Sequence, residues 1–154
     1  MPNQPLQRTA LGPSLAGGAL GGGGHRSVEP KAVNPVCYFE VPVVDLDRAV
    51  AFYRAVFGCD FERVAIDGND MALFPADPAA GGASGALARG ESYVPGRQGV
   101  RVYFRVADVA AALGRAVAAG GRELYPLTAV PGYGRVAEFE DSEGNCVALF
   151  APEG

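Results

Sequence analysis

The chain contains a single histidine, His25, set in a glycine run, so any site built on two or more imidazoles is excluded. Cysteine is sparse too. Cys37, Cys59 and Cys146 form an odd set with no C-x-x-C spacing, so neither a disulfide framework nor a cysteine-rich zinc site is suggested. No apolar run reaches the length of about 18 residues that a membrane helix needs, so no membrane partner is expected. Positive charge is not in excess. Lys and Arg number 13 against 17 Asp and Glu, a net charge of −4 that argues against nucleic acid as a partner. A cleavable export signal is also a poor fit. Its apolar core would be Leu11 to Leu20, which Gly12, Pro13, Gly17 and Gly18 interrupt, and only Arg8 is positive before it. A cytoplasmic location is therefore expected, in keeping with reduced cysteines.

The composition that remains is that of an ordinary globule: 154 residues, 49% hydrophobic and 19% charged, enough for one domain or two small halves sharing a core. Residues 1 to 30 differ from the rest. Seven of the 22 glycines fall between Gly12 and Gly24, with Pro2, Pro5, Pro13 and Pro30 around them. Such a stretch buries too little apolar surface to offset its ordering entropy, so it is expected to be a flexible tail before a single domain over residues 31–154. The run before His25 lacks the preceding strand and following helix that a phosphate-binding glycine loop requires. His25 itself is read as a solvated side chain.

The expected domain repeats itself. Tyr38-Phe-Glu-Val-Pro-Val-Val-Asp45 opens a strand-then-helix unit, and Arg101-Val-Tyr-Phe-Arg-Val-Ala-Asp108 opens another, offset by 63. In the first, Phe39, Val41 and Val43 alternate with Tyr38, Glu40 and Pro42. In the second, Val102, Phe104 and Val106 alternate with Arg101, Tyr103 and Arg105. Period two with one apolar side predicts half-buried strands. Asp45 and Asp108 each precede a helical stripe: Leu46, Ala49, Val50, Tyr53 and Phe57 in the first half, and Val109, Ala112, Leu113 and Ala116 in the second. Both aspartates are read as helix caps rather than catalytic groups. Gly58 and Gly120-Gly121 supply the helix stops. Strands are predicted at 60–66, 70–74 and 84–89, then at 122–127, 134–140 and 146–151, with turn residues between. Two modules result, at about 35–92 and 98–152, each strand–helix–strand–strand–strand. Neither closes a core alone, so the fold class predicted is α+β, with two facing four-stranded mixed sheets around a cleft.

Asp-Leu-Asp-Arg-Ala-Val-Ala-Phe-Tyr-Arg-Ala-Val-Phe-Gly at 45–58 and Glu-Asp-Ser-Glu-Gly-Asn at 140–145, in that order within two such modules, resemble the vicinal oxygen chelate superfamily. That group includes glyoxalase I, extradiol dioxygenases, fosfomycin-resistance enzymes and the metal-free bleomycin-resistance proteins. The resemblance covers about residues 35–152. Phe39-Glu-Val-Pro42 and Ser84-Gly-Ala-Leu87 are closer to a poorly characterised glyoxalase-like subgroup than to a named enzyme. The resemblance implies homodimers and, in catalytic members, one divalent metal (nickel, zinc, manganese or iron) held by His, Glu or Gln. Carried onto this chain, the ligand positions fall on Tyr38, Ala86, Arg101 and Ala148. Alanine offers no donor, arginine stays protonated and neutral tyrosine donates poorly, so no metal cofactor is expected.

Strand alternation instead sends Tyr38, Glu40, Arg101, Tyr103 and Arg105 toward the enclosed side, with Phe150 either beside them or in the core. Phenols and guanidiniums around a concave site hold a planar ligand and take an anionic group. The alternative is that Glu40 pairs with Arg101 or Arg105 and neutralises a polar interior. Glu138 and Glu140 straddle Phe139 and face one way, as an acid–base pair or as a solvated face. Met71 is read as core, and Cys37 and Cys146 as inert thiols. The expected function is small-molecule binding without a metal; the competing one is a lyase, isomerase or dioxygenase-type enzyme with displaced metal ligands.

Overall fold

The computed structural model describes residues 34–154; the expected tail and His25 lie outside the described residues. The element order is β1 (Tyr38–Pro42), α1 (Leu46–Phe57), β2 (Glu62–Ile66), β3 (Asn69–Leu73), β4 (Ser84–Arg89), β5 (Tyr103–Arg105), α2 (Val109–Ala118), β6 (Arg122–Val130), β7 (Gly134–Glu140) and β8 (Cys146–Pro152). Two four-stranded mixed sheets form, in the orders β1-β4-β3-β2 and β5-β8-β7-β6. In each, the first strand runs parallel to the last and the other pairs are antiparallel. The α+β architecture read from the repeat is thus the one observed.

Both helices start on the expected chemistry, and α1 also stops on it; α2 is capped by Ala119 at φ −82°, one residue before Gly120. The Asp45 and Asp108 side chains accept from the N–H groups of Arg48 and Ala111, each at 3.0 Å, satisfying otherwise orphaned donors. Gly58 ends α1 in the left-handed region at φ 66°. The α2 stripe Val109, Ala112, Leu113 and Ala116 is buried as predicted; α1 buries Leu46, Ala49, Val50 and Tyr53 of its stripe together with Phe52 and Val56, while Phe57 is half-buried. The apolar sides of both sheets join the helices in one core. Phe39 and Phe104 meet edge to face at 5.6 Å, while Phe57 stacks on Phe104 at 4.6 Å. Gly85 lets β1 lie close to β4, because a Cβ there would stand 2.1 Å from the Phe39 carbonyl oxygen.

Two strands differ from expectation. β5 is confined to Tyr103–Arg105, so Arg101 precedes it, although backbone bonds at Val102 and Val106 continue its pairing with β8. β6 runs on to Val130 with register shifts between Glu123 and Tyr125 and between Tyr125 and Thr128. Pro126 sits in the second irregularity, tolerable because β6 is an edge strand and needs no N–H there.

The turn at 140–145 ties the halves together. Asp141 Oδ1 accepts from the N–H groups of Glu143 and Asn145 at 2.8 and 2.9 Å. Its Oδ2 accepts from the Tyr53 hydroxyl at 2.6 Å and from Asn145 Nδ2 at 2.9 Å. Asn145 Nδ2 also donates to the Pro42 carbonyl at 2.8 Å. Burial, then the charge and hydrogen bond of Asp141, hold the Tyr53 phenol well above its ordinary value, so it stays a donor. Glu143 reaches the start of α1: Oε1 accepts from the N–H groups of Val44 and Asp45 at 2.9 and 2.7 Å, and Oε2 from Arg48 Nε at 2.7 Å.

Burial raises the Glu143 carboxyl, but the Arg48 hydrogen bond and the two backbone donors outweigh it and hold the group below its ordinary 4.5. A carboxyl depressed in the folded state binds protons more readily when unfolded. Its stabilisation is therefore complete above the ordinary glutamate range and is lost as pH falls through the depressed folded value. Glu143→Gln is expected to flatten that part of the acid limb in a plot of unfolding free energy against pH. A slope equal to that of the parent between pH 5 and pH 3, roughly the window for such a carboxyl, would contradict this.

Candidate ligand-binding faces

The sheet sides turned away from the helices carry the predicted site residues, and each side is dressed differently. On the first sheet, β1 presents Tyr38 and Glu40, with Glu40 opposite Ala86 of β4. Tyr93, from the loop after β4, donates its hydroxyl to Glu40 Oε2 at 2.8 Å, and the Tyr38 hydroxyl approaches the same oxygen at 3.4 Å. Burial, followed by the charges of Glu40 and Tyr93, pushes the Tyr38 phenol up to about 12. Met71 is 2% exposed, and Ala86 and Ala88 are fully buried. They form a small apolar cluster with Tyr38, Val64, Ile66, Leu73 and Tyr93 packed against it. Tyr38, Glu40 and Tyr93 themselves stay half-buried, so they line this side without closing it.

The second sheet is more open. Tyr103 lies opposite Ala148, and Arg105 opposite Phe150. Tyr103 is 53% exposed and Phe150 is half-buried, whereas Ala148 is fully buried. Arg101 Nη1 donates to Glu138 Oε1 at 3.0 Å, and the Cys146 thiol lies 3.7 Å from Glu138 Oε2. Burial raises the Cys146 thiol, and the Glu138 charge adds to this against the opposing effect of Arg101, so thiolate is disfavoured. The Arg105 guanidinium stands 5.6 Å from the centroid of the Phe150 ring. Glu140 is bound by Arg97 and by Arg122, the latter at 3.2 Å.

These contacts sort the sequence expectations. Tyr38 and Glu40 come together on one sheet; Tyr103, Arg105 and Phe150 come together on the other, with Arg101 at its edge. The pairing of Glu40 with Arg101 or Arg105 is replaced: Arg101 takes Glu138, and Arg105 lies over an aromatic ring. Glu138 and Glu140 form neither an acid–base pair nor a merely solvated face, since each is ion-paired to arginine. Met71 is buried as expected, but in the small cluster behind the first sheet rather than in the main core. Tyr93 and Arg97 lie between β4 and β5, where no periodicity marks a direction, so the sequence alone does not assign them to a site. Two shallow hollows of about 360 and 450 Å³ share Val44, Asp70 and Arg89 near the start of α1, and none of the six predicted residues borders either.

Residues 36–149 match the model of the Glyoxalase/Bleomycin resistance protein/Dioxygenase superfamily. The chain belongs to that superfamily. A glyoxylase-like domain-containing protein from Didymella fabae is 29% identical over 114 residues, covering 71% of this chain and 88% of that one. Among solved structures, TnmS3, an antibiotic binding protein from Streptomyces sp. CB03234, is 27% identical with a TM-score of 0.59, over 79% of this chain and 98% of that one. A glyoxylase/bleomycin resistance protein/dioxygenase domain from Frankia sp. EAN1pec shares the fold at a TM-score of 0.62 and 19% identity, over 79% of this chain and all of that one (100%). Catalytic members of the superfamily hold a divalent metal, and the residues at the corresponding positions here do not fit one. Ala86 and Ala148 offer buried methyl groups, Tyr38 a phenol that keeps its proton, and Arg101 a guanidinium bound to Glu138. Among the described residues, no three His, Cys, Asp or Glu side chains gather as a metal site would require. No helix of the described residues is long and apolar enough to cross a membrane.

Proposed function

We propose that this protein is a metal-free, cytoplasmic small-molecule binding protein of the glyoxalase/bleomycin-resistance type. In this reading it holds an aromatic or amphipathic ligand with Tyr38, Glu40, Arg101, Tyr103, Arg105 and Phe150. The observation that carries the reading is the set Tyr38, Ala86, Arg101 and Ala148 at the superfamily's ligand positions, a set that repels or ignores a cation. The resemblance to a Streptomyces antibiotic binding protein, at 27% identity, supports binding rather than turnover. In this reading the protein acts as a homodimer, as the superfamily resemblance implies.

Isothermal titration with nickel, zinc, manganese and ferrous iron tests the metal-free part. No stoichiometric uptake is expected. One-to-one binding at micromolar affinity or tighter would overturn it and favour an enzyme with displaced ligands. Such an enzyme has little to build on here. Glu138 and Cys146 are neighbouring donors, but Arg101 already neutralises the Glu138 carboxylate.

A further inference from the structure

The exposed side of the second sheet has an excess of fixed positive charge in a chain whose net charge is −4. Its linked side chains comprise four guanidiniums (Arg97, Arg101, Arg105 and Arg122) against two carboxylates, Glu138 and Glu140. Three of those arginines are spent on the two glutamates. Among the described residues Arg105 has no carboxylate within ion-pair distance, and its guanidinium rests over the Phe150 ring. Phe150 sits opposite it on the neighbouring strand, so both side chains leave the sheet on one side, two residues from the exposed Tyr103. A guanidinium laid on an aromatic face keeps its N–H edge directed outward, and that edge matches a carboxylate in a bidentate geometry.

We infer that Arg105 and Phe150 form an anion subsite, and that the ligand of this protein is an aromatic carboxylate. Its ring lies against Phe150 and Tyr103, and its carboxylate is taken by Arg105. Arg101 does not share this task, because its charge is already matched by the Glu138 carboxylate, to which its Nη1 donates. The inference rests on the reading that this sheet side binds the ligand, and it adds the ligand's charge and the residue that reads it.

The test uses the full chain and a matched pair of probes, a naphthalene carboxylate and its neutral methyl ester, in isothermal titration. The carboxylate is expected to bind about tenfold or more tightly than the ester, as a charge-assisted bidentate pair at a partly exposed site implies. Arg105→Gln is expected to abolish the preference, so that the carboxylate binds no more tightly than the ester. Arg105→Lys, which keeps the charge without the fork, should retain part of the preference. Equal binding of both probes by the parent protein would overturn the anion subsite and leave the small-molecule reading standing. A carboxylate preference that survives Arg105→Gln would overturn the assignment to Arg105. Binding of neither probe would overturn both. Arg105 is exposed, so thermal unfolding of the variants should coincide with that of the parent; a lowered midpoint would show a structural role and count against the inference.

Discussion

Replacing Asp141 by alanine is expected to cost about 3–5 kcal/mol of folding stability, enough to lower the thermal midpoint of a domain this size by about 10–20 °C. The reason is the number of donors that converge on one buried carboxylate. Tyr53, Asn145 through side chain and backbone, and the Glu143 N–H all point at its two oxygens between 2.6 and 2.9 Å. Alanine leaves these donors without an acceptor at a site closed to solvent, and an unmade hydrogen bond there costs more than a made one contributes. Asp141→Asn separates shape from chemistry. It keeps the volume but turns one acceptor into a donor facing donors, so it should also destabilise strongly, by about 2–4 kcal/mol. Tyr53→Phe removes only one donor and should cost about 1–2 kcal/mol. Thermal unfolding followed by circular dichroism reads all three. An Asp141→Ala loss below that of Tyr53→Phe would show that the network is not a hub.

Phe139→Ala is expected to destabilise by a similar amount, about 3–5 kcal/mol, through lost burial and the cavity left behind. Phe139 is fully buried on β7, in the second half, and its ring lies 5.9 Å from that of Phe52 on α1, in the first. The cavity would open where the halves meet, and the close-packed surroundings collapse into it only partly. Urea unfolding should show a lower midpoint with one transition shared by far-ultraviolet circular dichroism and tyrosine fluorescence. Two separated transitions would mean that the halves unfold independently, and a loss under about 1 kcal/mol would mean that the site repacks.

Both predictions concern residues whose role has little to do with ligand chemistry, and this bears on what the superfamily motif at 140–145 does. Glu140 is held by arginines, Asp141 and Asn145 satisfy Tyr53 and Pro42, and Glu143 receives the start of α1. The motif joins one module to the other. It marks the fold, while the residues that would distinguish a metal enzyme from a binding protein sit elsewhere, on the strands.

Local rules carried the sequence far along the chain. The alternation around Phe39 and Phe104, the stripes of both helices, the caps at Asp45 and Asp108 and the stop at Gly58 depend on neighbours within a few residues, so periodicity and capping chemistry determined them alone. Composition likewise determined that no site here rests on two histidines. Partners distant in sequence were beyond those rules. Arg101 finds Glu138 across 37 positions and Tyr93 finds Glu40 across 53, and neither pairing is implied by spacing. Alternation said that Tyr38, Glu40, Arg101, Tyr103 and Arg105 turn away from the helices. Only the tertiary structure decided that the first pair meets Tyr93 and that, among the described residues, Arg101 finds a carboxylate while Arg105 finds an aromatic ring. A strand pattern fixes the side to which a residue points, but the packing of the whole chain decides what is waiting there.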